Sequence, residues 1–266
     1  GFRLSKILYF LAKDLPNHHT GSTNQRKIGK FIKENFGVWE DKALMAIRNF
    51  DAKALSNAVW SIAVFGVNPS QKFMNTWHGQ AKKYINSKNP DQTFNPQDYA
   101  NSLWALAVIQ SQNPELNLKP IYDDIRPLVD EGNISLQRNS KQIFDADIYF
   151  TGASALENPE RSETTSNDEK RLSEMFKTAG YTVYKSDQCP IPLLNLAIDF
   201  TVEDATGNKV HIEYDGPTHF HNPEAHDLRN LKYDLATRFR SALMTRLAPD
   251  LTIERIDFQT LDLLNK

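Results

Sequence analysis

Residues 55–65, LSNAVWSIAVF, align without gaps on residues 99–109, YANSLWALAVI. The offset is 44 throughout (99 − 55), and it carries Trp60 onto Trp104. In both segments the apolar residues recur at the spacing of a helix, with about 3.6 residues per turn. A repeat period of roughly 20–50 residues is typical of stacked helical pairs, each of which buries a face against its neighbour. The segment therefore predicts an array of helical hairpins, with both tryptophans in its core.

The residues around the two copies predict where their helices begin. Asp51 and Asn95 precede the copies and are residue types that cap helix N-termini, and Pro96 suits a first helical position. Further helices are expected on both sides, and the array is assigned to residues 1–152. The expected segments are second helices over residues 71–85 and 119–129, an earlier unit over 4–13 and a later, capping unit over 137–150.

The second half has a different pattern. Residues 153–167 are polar and contain Pro159, which predicts a linker. Residues 168–266 alternate between helical and strand patterns in the order αβββαβ, which predicts an α/β domain with a mixed sheet. The expected elements are a helix over residues 168–179, strands over 181–185, 194–203 and 209–215, a helix starting near 222 and a strand over 251–258.

Acidic residues are expected to converge on one face of this sheet. Side chains alternate between the two faces of a sheet along a strand. Asp199 is therefore expected on the face opposite its apolar neighbours, and Glu213 and Asp215 on the same polar face of the next strand. Three carboxylates close together repel one another unless positive charge neutralises them. Oxygen-rich clusters suit Mg²⁺ or Mn²⁺, which can activate water for attack on a phosphodiester. Asp199 and Glu213 are thus candidate metal ligands.

The string DGPTHF, residues 215–220, resembles the signature of the RAP domain, an RNA-binding module that accompanies helical repeats. The resemblance covers about residues 168–260 and includes Lys232 on the following helix. The motifs Asn57…Trp60 and Asn101…Trp104 are similar to those of octotricopeptide repeats. The αβββαβ order resembles the restriction-endonuclease-like PD-(D/E)XK core, although Asp215 stands where that pattern has a lysine.

The resemblance implies an RNA-binding protein whose partner is single-stranded RNA. In one version the protein is also a metal-dependent endoribonuclease that acts in RNA processing. In the active form, Asp199 and Glu213 hold Mg²⁺ or Mn²⁺, Asp215 assists, and Lys232 or His219 stabilises the developing charge. His219 either orients a phosphate and moves a proton or pins its loop by hydrogen bonds. The candidate RNA contacts are Thr218, Arg229, Arg240, Lys53, Lys82 and Lys83. The candidate base readers of the repeat helices are Lys53, Ser56, Gln97 and Asp98.

Composition leaves the functional class open. The net charge is −2, with +3 over residues 1–159 (18 − 15) and −5 over residues 160–266 (13 − 18). No apolar run is long enough to cross a membrane, and the single Cys189 excludes a disulfide within the chain. Cytoplasm or an organelle matrix is the expected location. A non-catalytic ribonucleoprotein component and a protein-interaction scaffold are the alternatives to a nuclease.

Overall fold

The computed structural model describes residues 8–10, 12, 23–87, 89, 93–129, 137–156, 166–185, 198–220, 233 and 235–263. The chain separates into two compact units, Gly1–Glu157 and Asn158–Lys266. In the described ranges the first unit is helical and the second carries a four-stranded mixed sheet, so the predicted order of helices followed by an α/β domain is confirmed. No helix in these ranges is both long and apolar enough to span a bilayer.

Six helices form the first unit in the ranges that the structure describes, besides helical residues at 8–10 and 12. Short 3₁₀ turns, Ile47–Asn49 and Arg126–Leu128, follow the first and fifth of them. The helices are α1 (Thr23–Ala46), α2 (Ala52–Phe65), α3 (Gln71–Ile85), α4 (Pro96–Gln112), α5 (Lys119–Ile125) and α6 (Gln137–Thr151).

The N-caps of α2 and α4 are those that the sequence predicts. Asp51 accepts a hydrogen bond from the backbone N–H of Ala54, at 2.7 Å. Asn95 accepts from the backbone N–H of Asp98, at 2.9 Å, and Asp98 accepts in return from that of Asn95, at 3.2 Å. Each cap satisfies backbone donors that the first helical turn leaves unpaired. Both helix starts are therefore fixed by local sequence.

The core of the first unit is a layer in which α2 packs on α4 and α4 packs on α6. Trp60 is buried and its ring lies 5.5 Å from that of Tyr9, but Trp104 is only partly buried. The prediction of a core tryptophan is thus confirmed for Trp60 and wrong for Trp104. Trp77 is fully buried instead, and its indole N–H donates to the Leu55 carbonyl at 3.0 Å.

Helix α1 is a feature that the sequence analysis did not predict. It is anchored to α3 through Trp39, whose ring lies 5.6 Å from that of Phe36 and 5.8 Å from that of Phe73. Glu40 accepts hydrogen bonds from both the backbone N–H and the hydroxyl of Ser70, at 2.8 and 2.6 Å. Because these contacts join α1 to the N-terminus of α3, α1 is an integral part of the unit.

The second unit has the predicted αβββαβ order. Its sheet has the strand order β1-β2-β3-β4, with antiparallel pairing among the first three strands and parallel pairing of β3 with β4. A 3₁₀ turn, Pro217–His219, follows β3. The elements are α7 (Asn167–Thr178), β1 (Thr182–Lys185), β2 (Phe200–Glu203), β3 (Lys209–Asp215), α8 (Leu235–Leu247), β4 (Ile253–Asp257) and α9 (Phe258–Leu263).

One face of the sheet is apolar and packs on α7 and α9. This confirms the predicted alternation, because the apolar residues of β2 and β3 lie in one cluster and the acidic ones do not. The start of the predicted 194–203 strand and the helix start near residue 222 lie outside the described residues. The core cluster consists of Leu172, Phe200, Val202, Ile212, Tyr214 and Leu261.

Candidate functional site

The strand register brings Asp199 and Glu213 together. Thr201 pairs with His211 and Phe200 with Ile212, so the next position along the hairpin sets Asp199 beside Glu213. The Oδ2 atom of Asp199 accepts a hydrogen bond from the backbone N–H of Tyr214, at 2.7 Å. Asp199 and Glu213 therefore lie side by side on neighbouring strands, and their predicted role as metal ligands stays a prediction.

Asp215, at the end of β3, is fully buried and held by a clamp of three side chains. The Nε atom of Arg255 donates to its Oδ2 at 2.7 Å, and Nδ1 of His219 lies 3.2 Å from its Oδ1. Tyr233 is a third hydrogen-bonding partner. Burial alone would raise the pKa of Asp215, but the hydrogen bonds from His219, Arg255 and Tyr233 together hold that pKa below its ordinary value. Asp215 is thus ionised within its clamp.

Glu213 is buried at 2% exposure and pairs with an arginine from α8. A terminal guanidinium nitrogen of Arg240 donates to its Oε1 at 2.9 Å. Burial raises the pKa of Glu213 to about 7. The charges of Arg240 and Arg255 act to lower this pKa, and those of Asp199 and Asp215 act to raise it. Glu213 therefore changes its charge near neutral pH, unlike an exposed glutamate.

The positive charge in this cluster comes from the protein itself. Arg240 donates to the Oε1 atom of Glu213, and Arg255 donates to Asp215. Of the two predicted metal ligands, Glu213 accepts from Arg240 at its Oε1 atom and Asp199 accepts from the Tyr214 backbone N–H at its Oδ2 atom, so a divalent cation bound to these two oxygens would have to displace both donors. Within the described ranges, no group of three or more histidine, cysteine, aspartate or glutamate side chains is arranged for a metal ion.

His219 lies in the turn of the DGPTHF string and joins two elements. Its Nδ1 atom is 3.2 Å from Asp215 and 3.3 Å from the hydroxyl of Thr237 on α8. One ring nitrogen is thus directed into the clamp rather than toward solvent. The geometry favours the interpretation in which His219 pins its loop. Of Thr218 the structure describes the backbone, within the same 3₁₀ turn, but not the side chain.

The predicted RNA contacts of the helical unit divide into exposed and buried residues. Lys53, Lys82 and Lys83 are exposed, although Lys82 forms an ion pair with Asp124, at 2.5 Å. Ser56 is fully buried and donates to the Asp98 carbonyl, at 3.2 Å. Base reading by Ser56 and Asp98 is therefore wrong, because both lie in the α2–α4 contact, where no nucleotide can reach them.

Gln97, another candidate base reader, is partly buried and donates to Asn101 within α4, at 2.8 Å. Arg229 and Lys232 lie outside the described residues, so their predicted roles stay predictions. Arg240 is described, and its guanidinium is directed to Glu213. Arg240, which was predicted to contact phosphates, therefore donates to a carboxylate of its own unit.

No family model, curated protein or solved structure matches this chain. The likeness of residues 215–220 to the RAP signature therefore stays a resemblance of motif. What the chain does has to be inferred from its own side chains.

Two arginines that the sequence analysis did not select are central to buried clusters. Arg255 holds Asp215, stacks over the Tyr233 ring at 5.2 Å and donates to Ser241 at 3.0 Å. The strand pattern could have identified Arg255, because it places this arginine on the same face of the sheet as the acids of the neighbouring strand. In the helical unit, Arg126 holds the buried Asp147 through two hydrogen bonds, at 2.7 and 2.9 Å.

Proposed function

We propose that this chain binds RNA through its backbone phosphates and does not cut it. RNA binding rests on the motif resemblance of residues 215–220 and of the paired helix motifs. The absence of cutting is supported by one observation, the pairing of Glu213 and Asp215 with Arg240 and Arg255. A carboxylate oxygen that already accepts a charge-assisted hydrogen bond from a guanidinium is less available to a cation, which would have to displace that donor.

In this proposal the acidic cluster is a structural device that positions the DGPTHF turn. Asp215 fixes His219 and Tyr233, and the Phe220 ring stacks on that of Tyr233 with centroids 4.8 Å apart. The turn is thus tied to β4 and α8 as well as to β3. A rigid turn would present the same surface to a phosphate in the free and bound states, with little loss of conformational entropy on binding.

Exposed lysines of the helical unit supply the electrostatic part of the binding. Lys53 and Lys83 are the better candidates, since Lys82 shares its charge with Asp124. A phosphate contact releases a counterion, so the affinity falls with salt in proportion to the number of such contacts. RNA bound in this way would be held along its backbone with little dependence on base sequence.

The test measures binding of a fluorescently labelled single-stranded RNA by fluorescence anisotropy at several salt concentrations. The double variant Lys53→Ala/Lys83→Ala is expected to weaken binding roughly tenfold and to lower the slope of log K against log salt by about 1.4, from two contacts at about 0.7 each. Lys30→Ala, an exposed lysine on α1, is the matched control and should leave both unchanged. Absence of any RNA binding at low salt would overturn the proposal and favour the protein-interaction scaffold.

A metal-dependent endoribonuclease is the second candidate. It is favoured by the side-by-side placement of Asp199 and Glu213 and by the pKa of Glu213 at about 7. If RNA binding drew Arg240 away from Glu213, then Asp199 and Glu213 would be the residues that hold Mg²⁺ or Mn²⁺. Cleavage of the RNA separates this candidate from simple binding.

A further inference from the structure

Helix α1 has two apolar faces, of which its own unit covers one. Ile32, Phe36 and Ala43 are buried. Phe31, Val38 and Met45 are 62%, 57% and 85% exposed, and they recur at intervals of seven residues (38 − 31 and 45 − 38). We call these last three residues the α1 stripe.

The α1 stripe runs along the opposite side of the helix from the anchoring face. Val38 follows Phe36 by two residues, which is about 200° of helical rotation at about 100° per residue, or roughly 160° when measured the shorter way around the helix. Three residues at seven-residue intervals drift by only about 20° per interval and span about 21 Å along the axis. The stripe is therefore nearly straight, like the contact line of one helix in a coiled coil.

We propose that the α1 stripe pairs with the α1 stripe of a second copy of this chain, antiparallel about a two-fold axis through Val38. In such a pair, residues at equal distances on either side of Val38 face each other. Phe31 then faces the partner's Met45, which sets a thioether against an aromatic ring, a favourable contact. Val38 packs against the partner's Val38.

The charges beside the stripe select this orientation. Glu34 precedes Val38 by four residues and Lys42 follows it by four, and both are exposed. The antiparallel pair places Glu34 opposite the partner's Lys42 on both sides of the axis. A parallel pair would instead place like charges opposite each other, which is unfavourable. Charges that flank an apolar contact line set the orientation of paired helices in this way.

The contact is small, because each copy contributes a single helix face with three large apolar side chains. Interfaces well under about 1,200 Å² are typical of weak, reversible association. We therefore expect a monomer–dimer equilibrium with a Kd between about 10 µM and 1 mM.

Sedimentation velocity of the full chain, at concentrations from about 5 µM to about 1 mM, tests this pairing. Wild type should shift toward dimer as its concentration rises. Val38→Asp should raise Kd at least tenfold, since it puts two carboxylates together on the axis. Leu128→Asp is the matched control, as Leu128 is also apolar and 47% exposed but lies outside the stripe.

A charge exchange tests the orientation separately. Glu34→Lys should weaken the dimer severalfold, and Glu34→Lys/Lys42→Glu should restore it. Circular dichroism verifies that each variant keeps its helices. A chain that stays monomeric at the highest concentration, a dimer indifferent to Val38→Asp, or a double exchange that fails to restore pairing would overturn the proposal.

Discussion

Replacing Arg255 with methionine is expected to destabilise the C-terminal unit by about 3–5 kcal/mol, because it leaves the buried Asp215 carboxylate without its guanidinium. Asp215 has no exposed surface, and the Arg255 side chain is only 18% exposed. The methionine fills much of the arginine's volume, so the loss reports the charge rather than a cavity. Because the four tryptophans all lie between residues 39 and 104, hydrogen exchange of the β3 amides is the suitable measurement.

The expected result is exchange of the β3 amides about 100- to 5,000-fold faster than in wild type, since each 1.36 kcal/mol is a factor of ten. Lys177→Met is the matched control. Lys177 pairs with Glu174 on the surface, where both side chains are more than half exposed, and such a pair contributes under about 1 kcal/mol. An Arg255→Met protein whose β3 amides exchange as slowly as those of wild type would show that Asp215 does not depend on this arginine.

Replacing Glu213 with glutamine is expected to change how stability depends on pH. The pKa of Glu213 is about 7 in the folded chain, against an ordinary value of 4.5. A carboxyl group with a raised pKa in the folded state stabilises the fold below its unfolded pKa, and this contribution is lost as the pH rises through 7. Between pH 5 and pH 8 the loss amounts to roughly 2–3 kcal/mol.

A glutamine side chain cannot ionise, so this loss should disappear from the Glu213→Gln variant. Urea unfolding followed by circular dichroism at pH 5 and pH 8 measures the difference between variant and wild type at each pH. Glu254→Gln, which alters an exposed carboxylate on β4, should behave as wild type. The account of Glu213 fails if the Glu213→Gln variant loses as much stability as wild type over this range.

The elements that the sequence predicts well are those fixed by local signals. Helix α4 begins at Pro96 because Asn95 and Asp98 form a capping box, a signal contained in four residues. The hairpin of β2 and β3 follows from alternation and from Asp204, which accepts from the backbone N–H groups of Thr206 and Asn208 in the turn, at 2.8 and 3.0 Å. Such features need no knowledge of the distant chain.

The features that the sequence analysis misses depend on contacts between distant segments. Arg255 lies 40 residues from Asp215, and their contact exists because β4 pairs in parallel with β3. A bound cation is the source of positive charge that the sequence predicts, because Arg240 and Arg255 are separated from the acids they pair with by 27 and 40 residues. Helix α1 was missed for a different reason. Its buried residues Ile32, Phe36 and Ala43 do have helical spacing, but Phe31 and Val38 add a second apolar face that obscures it.

In the proposed function, arginine side chains, and not a divalent cation, balance the acids of the sheet, so that RNA is bound intact. The most direct measurement is incubation of the purified chain with end-labelled single-stranded RNA in Mg²⁺ and in Mn²⁺, followed by gel analysis of both RNA length and RNA binding. We expect full-length RNA in complex with the protein, with or without metal. Metal-dependent cleavage that disappears in both Asp199→Asn and Glu213→Gln would contradict it.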